Sequence, residues 1–215
     1  MTFEPSKNFN AVIAAIDEVN AQDPRTTIVD GQSVPFETAY ADRMTKTLEQ
    51  MYPDASELLR IAARAQHIRR WQIPRDTFPM NREGYQKWRL GMRQLHAELV
   101  GDIMSDNGYS ADDIALVGSF LRKEALKRVA DSQALENVVD VIFLAYYWDD
   151  FVTKFSDYDD DKLIDIVGKT LRKMSTKGHQ AALALDLPEA TTRIVLAAVE
   201  REKDMLAVLA KREVS

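Results

Sequence analysis

The chain has 215 residues, 46% hydrophobic and 29% charged, and nothing splits it into a basic and an acidic half, so one compact domain is expected over residues 1–215, with 1–8 as a flexible tail. Zero cysteines exclude disulfides, thiolate metal sites and a cysteine nucleophile, and a net charge of −6 argues against a general nucleic-acid binder, which needs a basic field to displace counterions. The first ten residues lack the apolar core of a secretion signal, and no later run approaches the roughly 20 apolar residues of a membrane span, so a cytoplasmic protein with no membrane partner is expected.

With 8 Gly and 7 Pro, and apolar residues recurring at three and four, the pattern is helical throughout and predicts an all-α protein with no strand. A first helix over Phe9 to Asn20 ends at the Asp23-Pro24 turn, and a loop rich in Thr, Asp and Gly runs to Pro35. Phe36 to Met51 form a second helix. A third opens with Asp54 as cap and Glu57 closing a capping box, and runs to Trp71. Pro74 and Pro79 make Gln72 to Met80 an extended strap before Asn81 caps a helix reaching Asp106. Asn107-Gly108 stops it, and Ser110 with Asp113 is a second capping box, opening a helix from Asp112 to Val129. A long helix from Ser132 to Phe155 follows. After the acidic turn Ser156 to Asp161 come helices near Lys162 to Lys173, Lys177 to Leu185 and Pro188 to Lys211.

The Ser132 to Phe155 helix is apolar nearly all round, which places it at the centre of the molecule. At about 100° per residue, Gln133, Glu136, Asp140 and Tyr147 share a narrow stripe. Buried carboxylates there need a cation, a metal or a retained proton. On the helix from Arg82, His96 sits at the edge of the apolar arc with Arg89 and Arg93 beside it. In the run AARAQHIRRWQIPR, the alanines allow close packing while His67 falls with Arg60, Arg64 and Trp71 away from the main apolar face, and Arg70 and Arg75 follow. His179 reads as a surface residue. The pair Asp149-Asp150 and the run Asp157 to Asp161 carry little weight as metal motifs, the second being a helix start.

The runs AARAQHIRRWQIPR, GYQKWR, LHAE and LENVVDVIFL resemble a bacterial and fungal family, domain of unknown function 4202, over Phe9 to Leu185. That family brings no established activity. In its pattern an acidic residue follows the position of Glu136, where this chain has Asn137. A looser likeness is to the all-helical HD-type metal-dependent phosphohydrolases, whose layout of a histidine, a later His-Asp pair and a still later Asp is similar to His67, His96 and then Glu136 or Asp140. His96 is followed by Ala97, so the paired aspartate is missing. Two imidazoles and a carboxylate would still suit zinc, iron or manganese.

Two functions follow as expectations. One is an HD-like metal-dependent hydrolase with His67, His96, Glu136 and Asp140 as metal ligands, and Arg64, Arg70, Trp71, Arg75, Arg89, Arg93 and Lys123 around a small phosphorylated or otherwise anionic substrate. The other is a binding module that grips a small anionic ligand without chemistry, or an interaction domain with a structural polar network. No nucleophile motif, P-loop or dinucleotide fingerprint stands against either.

Overall fold

The computed structural model describes residues 3–124 and 126–213. Its described residues are mainly helical, an all-α fold with one small hairpin. Contacts divide the chain into two compact units, Met1–Leu135 and Glu136–Ser215, with the division falling inside one helix.

The first unit begins with α1 (Lys7–Asn20), capped by the Ser6 hydroxyl, which accepts from the Phe9 amide at 3.0 Å. The helix thus starts ahead of Phe9, and Ser6 also donates to the Glu57 carboxylate. Of the tail expected over 1–8, residues 1 and 2 lie outside the described residues. Where a loop is expected before Pro35, β1 (Thr26–Val29) and β2 (Gln32–Pro35) pair antiparallel, Thr26 opposite Pro35 and Val29 opposite Gln32. Asp30 and Gly31 both have positive φ, 49° and 77°, as a two-residue hairpin turn requires. Four-residue strands are too short for alternation to stand out, but the Asp-Gly pair was the available signal.

Next come α2 (Phe36–Met51) and α3 (Glu57–Arg64). Ser56, not Asp54, caps α3, accepting from the Leu59 amide at 3.1 Å, and Glu57 closes no capping box because its carboxylate serves Ser6 and the Tyr109 hydroxyl. α3 stops well short of Trp71. The chain turns through 65–69, Arg69 is left-handed at φ 53°, and Arg70–Gln72 form a 3₁₀ turn.

The strap is likewise not fully extended, since Arg75–Thr77 make a second 3₁₀ turn. The Arg75 guanidinium donates to the carbonyls of Phe78, Pro79 and Asn81 at 3.0, 2.9 and 3.2 Å. The indole N–H of Trp88 donates to the Ile73 carbonyl at 2.8 Å. α4 (Arg82–Asp106) is capped by Asn81 as the sequence predicts, and α5 (Ala111–Arg122) opens on the Ser110–Asp113 capping box. α5 closes at Lys123, left-handed at φ 62°, rather than running to Val129. In this unit α4 packs on α5, and α3 packs on α1, α2 and α5. Val12, Ile16, Met44, Leu48, Ile61, Ile68, Val100 and Val117 form its buried core.

The unit boundary falls within α6 (Ala130–Ile142). The long apolar helix continues past Ile142 as a π-helical segment, Phe143–Tyr147, and then α7 (Trp148–Lys154). Its Ser132 to Ile142 stretch is buried almost throughout, including the polar Glu136, Asn137 and Asp140. In the second unit, Phe143, Trp148, Phe151, Phe155 and Tyr158 form a chain of ring contacts with centroids 4.9 to 5.8 Å apart. α8 (Asp160–Leu171), capped by Asp159, and α9 (Thr176–Leu183), capped by Ser175, pack against α10 (Glu189–Glu213).

Gly84 lets the strap reach α4, because a Cβ there would stand 2.1 Å from the Pro79 carbonyl oxygen. Backbone would have to move to admit it. Gly84→Ala is therefore expected to cost about 1–3 kcal/mol in urea unfolding despite alanine's better helix propensity. A neutral or stabilising result would refute the tight strap.

Candidate functional site

Within the first unit, His67 is the meeting point of polar groups from three parts of the chain. Its imidazole stacks on the Tyr40 ring, centroids 3.8 Å apart and planes within 15°. The His96 ring of α4 lies 6.1 Å away, and the Glu37 Oε2 of α2 is 3.4 Å from His67 Nδ1. The left-handed Arg69 breaks α3's helical course just before Arg70, so helical spacing no longer sets where these side chains point. The Arg70 guanidinium lies over the Trp88 ring, 4.6 Å from its centroid.

Glu37 is 1% exposed and is fixed from the hairpin side. Arg25 donates to Glu37 Oε1 at 2.6 Å and grips Asp23 through two bonds of 3.0 and 2.8 Å, while Asp23 accepts the Glu37 backbone amide at 3.2 Å. The buried Asp23 carboxylate thus caps the start of α2 and holds the arginine that holds Glu37.

Burial governs protonation here. It pushes the Glu37 carboxyl up to about 7, although Arg25 and Arg70 favour its charge. Burial, and then the charges of Arg70, Lys123 and Arg25, hold His67 well below the usual imidazole range. Burial, and then His67 and Arg70, do the same for His96. Both rings are neutral at physiological pH. Burial works against the Asp23 carboxylate too, but the hydrogen bonds from Arg25 keep its pKa below the ordinary value.

Of the residues expected at a site, His67, His96, Arg70 and Lys123 share this electrostatic neighbourhood. Arg64 is engaged elsewhere, by Asp17 at 2.6 Å and Asp42 at 2.6 Å, and Arg75 holds the strap. Trp71 is half-buried on its 3₁₀ turn, and the indole that faces an arginine is Trp88. Arg89 and Arg93 are half-buried on α4. Glu37, Tyr40, Asp23 and Arg25 were not legible as site residues: an acid in the first turn of a helix ordinarily reads as a solvated partner for the helix dipole.

In the second unit, Glu136 and Asp140 face the Lys173 ammonium at 3.0 and 2.5 Å. Burial works against the Lys173 charge, but these carboxylates keep its pKa raised. Asn137 accepts the Ser175 amide at 2.9 Å and donates its own amide to the Ser175 hydroxyl at 2.7 Å, the second bond being one an ionised carboxylate could not donate. His179 is half-buried, not a surface residue, with its Nε2 2.7 Å from the Leu171 carbonyl oxygen. Among the described residues, no group of three or more His, Asp or Glu side chains is placed to hold a metal ion.

The model of the domain of unknown function DUF4202 matches residues 10–195. The chain belongs to the DUF4202 family. Neither a curated protein nor a solved structure matches it. The DUF4202 match spans both units, and so covers the His67 cluster and the Lys173 cluster alike.

Two expected outcomes follow from the charges. The elevated Glu37 pKa contributes stability that is fully present below the unfolded value of 4.5 and is lost as pH rises through about 7. The depressed pKa values of His67 and His96 act oppositely: folding is penalised where unfolded imidazoles would protonate, and stability is regained as pH rises through 6.5. Glu37→Gln should therefore steepen the gain in urea-unfolding free energy between these limits by about 1 kcal/mol per pH unit; an unchanged slope would mean that Glu37 titrates normally. In the second unit, Lys173→Met strands two buried carboxylates and should cost about 3 kcal/mol, which Glu136→Gln with Asp140→Asn should largely restore.

Proposed function

We propose that the first unit of this DUF4202 protein binds a small anionic ligand, a phosphate or carboxylate, beside His67, with Arg70 and Lys123 supplying the positive charge. The observation that carries this reading is the charge balance around His67. Arg25, Arg70 and Lys123 all raise the potential at its ring, whereas both imidazoles are neutral, Asp23 is bound to Arg25, and Glu37 carries only part of a charge at neutral pH. A partly buried cationic spot of this kind favours an anion in a chain of net negative charge. Arg70 has its face on Trp88, which leaves the edge of the guanidinium, with its forked N–H donors, to meet a phosphate or carboxylate.

A second reading is the HD-like metal-dependent hydrolase, favoured by one observation: two neutral imidazoles with ring centres 6.1 Å apart next to a carboxylate. Such rings would offer lone pairs to zinc, iron or manganese. The cations beside His67 oppose a divalent ion and favour the anion reading, so no hydrolytic step is derived through a metal.

The test is binding of inorganic phosphate by tag-free protein, followed by isothermal titration and thermal unfolding, with elemental analysis of the same sample. Saturable binding that Arg70→Met weakens by about tenfold or more, without metal in the sample, is the expected result. Stoichiometric metal that disappears in His67→Ala would instead establish the second reading. Absence of phosphate binding would remove the anion reading.

A further inference from the structure

His96 and Glu37 carry information about the ligand beyond its charge. The His96 ring donates a hydrogen bond to the backbone of Gln66, and its Nε2 is buried without a partner. The donor is therefore Nδ1, and in the neutral ring Nε2 holds a lone pair and can only accept. The Glu37 carboxylate has one oxygen on Arg25, while Oε2 is buried, unpartnered and turned to His67. Both side chains are more than nine-tenths buried, at 3% and 1% exposure. Two acceptors thus stand beside the cations of the proposed anion site.

A plain anion would bring acceptors alone, leaving these lone pairs facing further negative oxygen. We infer that the ligand carries hydroxyl donors as well as its charge, as a hydroxylated phosphate ester of the sugar-phosphate class does, with His96 Nε2 and Glu37 Oε2 receiving those donors. This rests on the anion reading. The division of labour is Arg70 and Lys123 for the phosphoryl oxygens, and His96 and Glu37 for the hydroxyls. A site whose buried acceptors need donors discriminates strongly against an analogue that lacks them, because the acceptors are then left unpaired.

The probes are glycerol phosphate and methyl phosphate, which share the phosphoryl group and differ in their hydroxyls, titrated calorimetrically into the full chain at neutral pH. Glycerol phosphate should bind about tenfold tighter or more. His96→Phe, which keeps a flat ring and removes the acceptor, should bring glycerol phosphate down to the affinity of methyl phosphate and leave methyl phosphate unchanged. Equal binding of the two esters by the unaltered protein overturns the inference while leaving the anion reading standing, and binding of neither overturns both. A His96→Phe protein that weakens both esters alike also overturns it, since His96 then only shapes the site. The comparison on the unaltered chain decides by itself if that variant does not fold.

Discussion

One oxygen of Glu37 is tied to Arg25, and the other is left facing His67. Much of the first unit's polar organisation hangs on that arrangement. Asp23 caps α2 and orients Arg25; Arg25 pins Glu37; and the hairpin between them brings the segment from Asp23 back to the start of α2. A carboxyl this deeply buried would be costly if it were fully ionised and unpaired, and the structure answers with a partial proton and a single arginine rather than a full set of donors. The unused oxygen is what gives the region chemical character beyond packing.

The surrounding cations act on rings that carry no charge of their own. Arg70 is flattened against Trp88, and that indole is anchored by its N–H to the Ile73 carbonyl, so the strap and the guanidinium are fixed through one aromatic side chain. Tyr40 fixes the His67 plane from the other direction by stacking. Rigid placement of this sort lowers the ordering cost of binding, because few rotamers remain to be frozen when a ligand arrives. The Lys173 cluster of the second unit uses similar residue types to a different end: one ammonium satisfies two carboxylates of α6.

What could be read from the sequence follows the range of the forces involved. Asn81 capping α4, the Ser110–Asp113 box and Gly108 after α4 depend on neighbours a few residues apart, and all three are found as read. The ends of α3 and α5 were misplaced because Arg69 and Lys123 adopt left-handed backbone without being glycine or asparagine, an outcome set by tertiary packing rather than local preference. The Asp30-Gly31 turn was legible in principle, but the prior of an all-helical chain outweighed two strands of four residues. At the site, rare histidines among arginines were visible, whereas Glu37 and Tyr40 became distinctive only once the hairpin and the broken end of α3 had folded them against His67.

The π-helical segment Phe143–Tyr147 has a consequence for the length of the chain. A π turn accommodates one residue more than an α turn, so the stripe traced at regular helical spacing through Glu136 and Asp140 does not extend to Tyr147. Deleting any one residue of the segment would restore ordinary hydrogen bonding, yet it would also swing everything after it by about 100° around the helix axis. Trp148, now 2% exposed, and Phe151, in ring contact with Phe143, would leave their places. Residue number in this five-residue stretch is therefore under tighter geometric constraint than residue type: a relative one residue shorter here must turn a different set of aromatics inward.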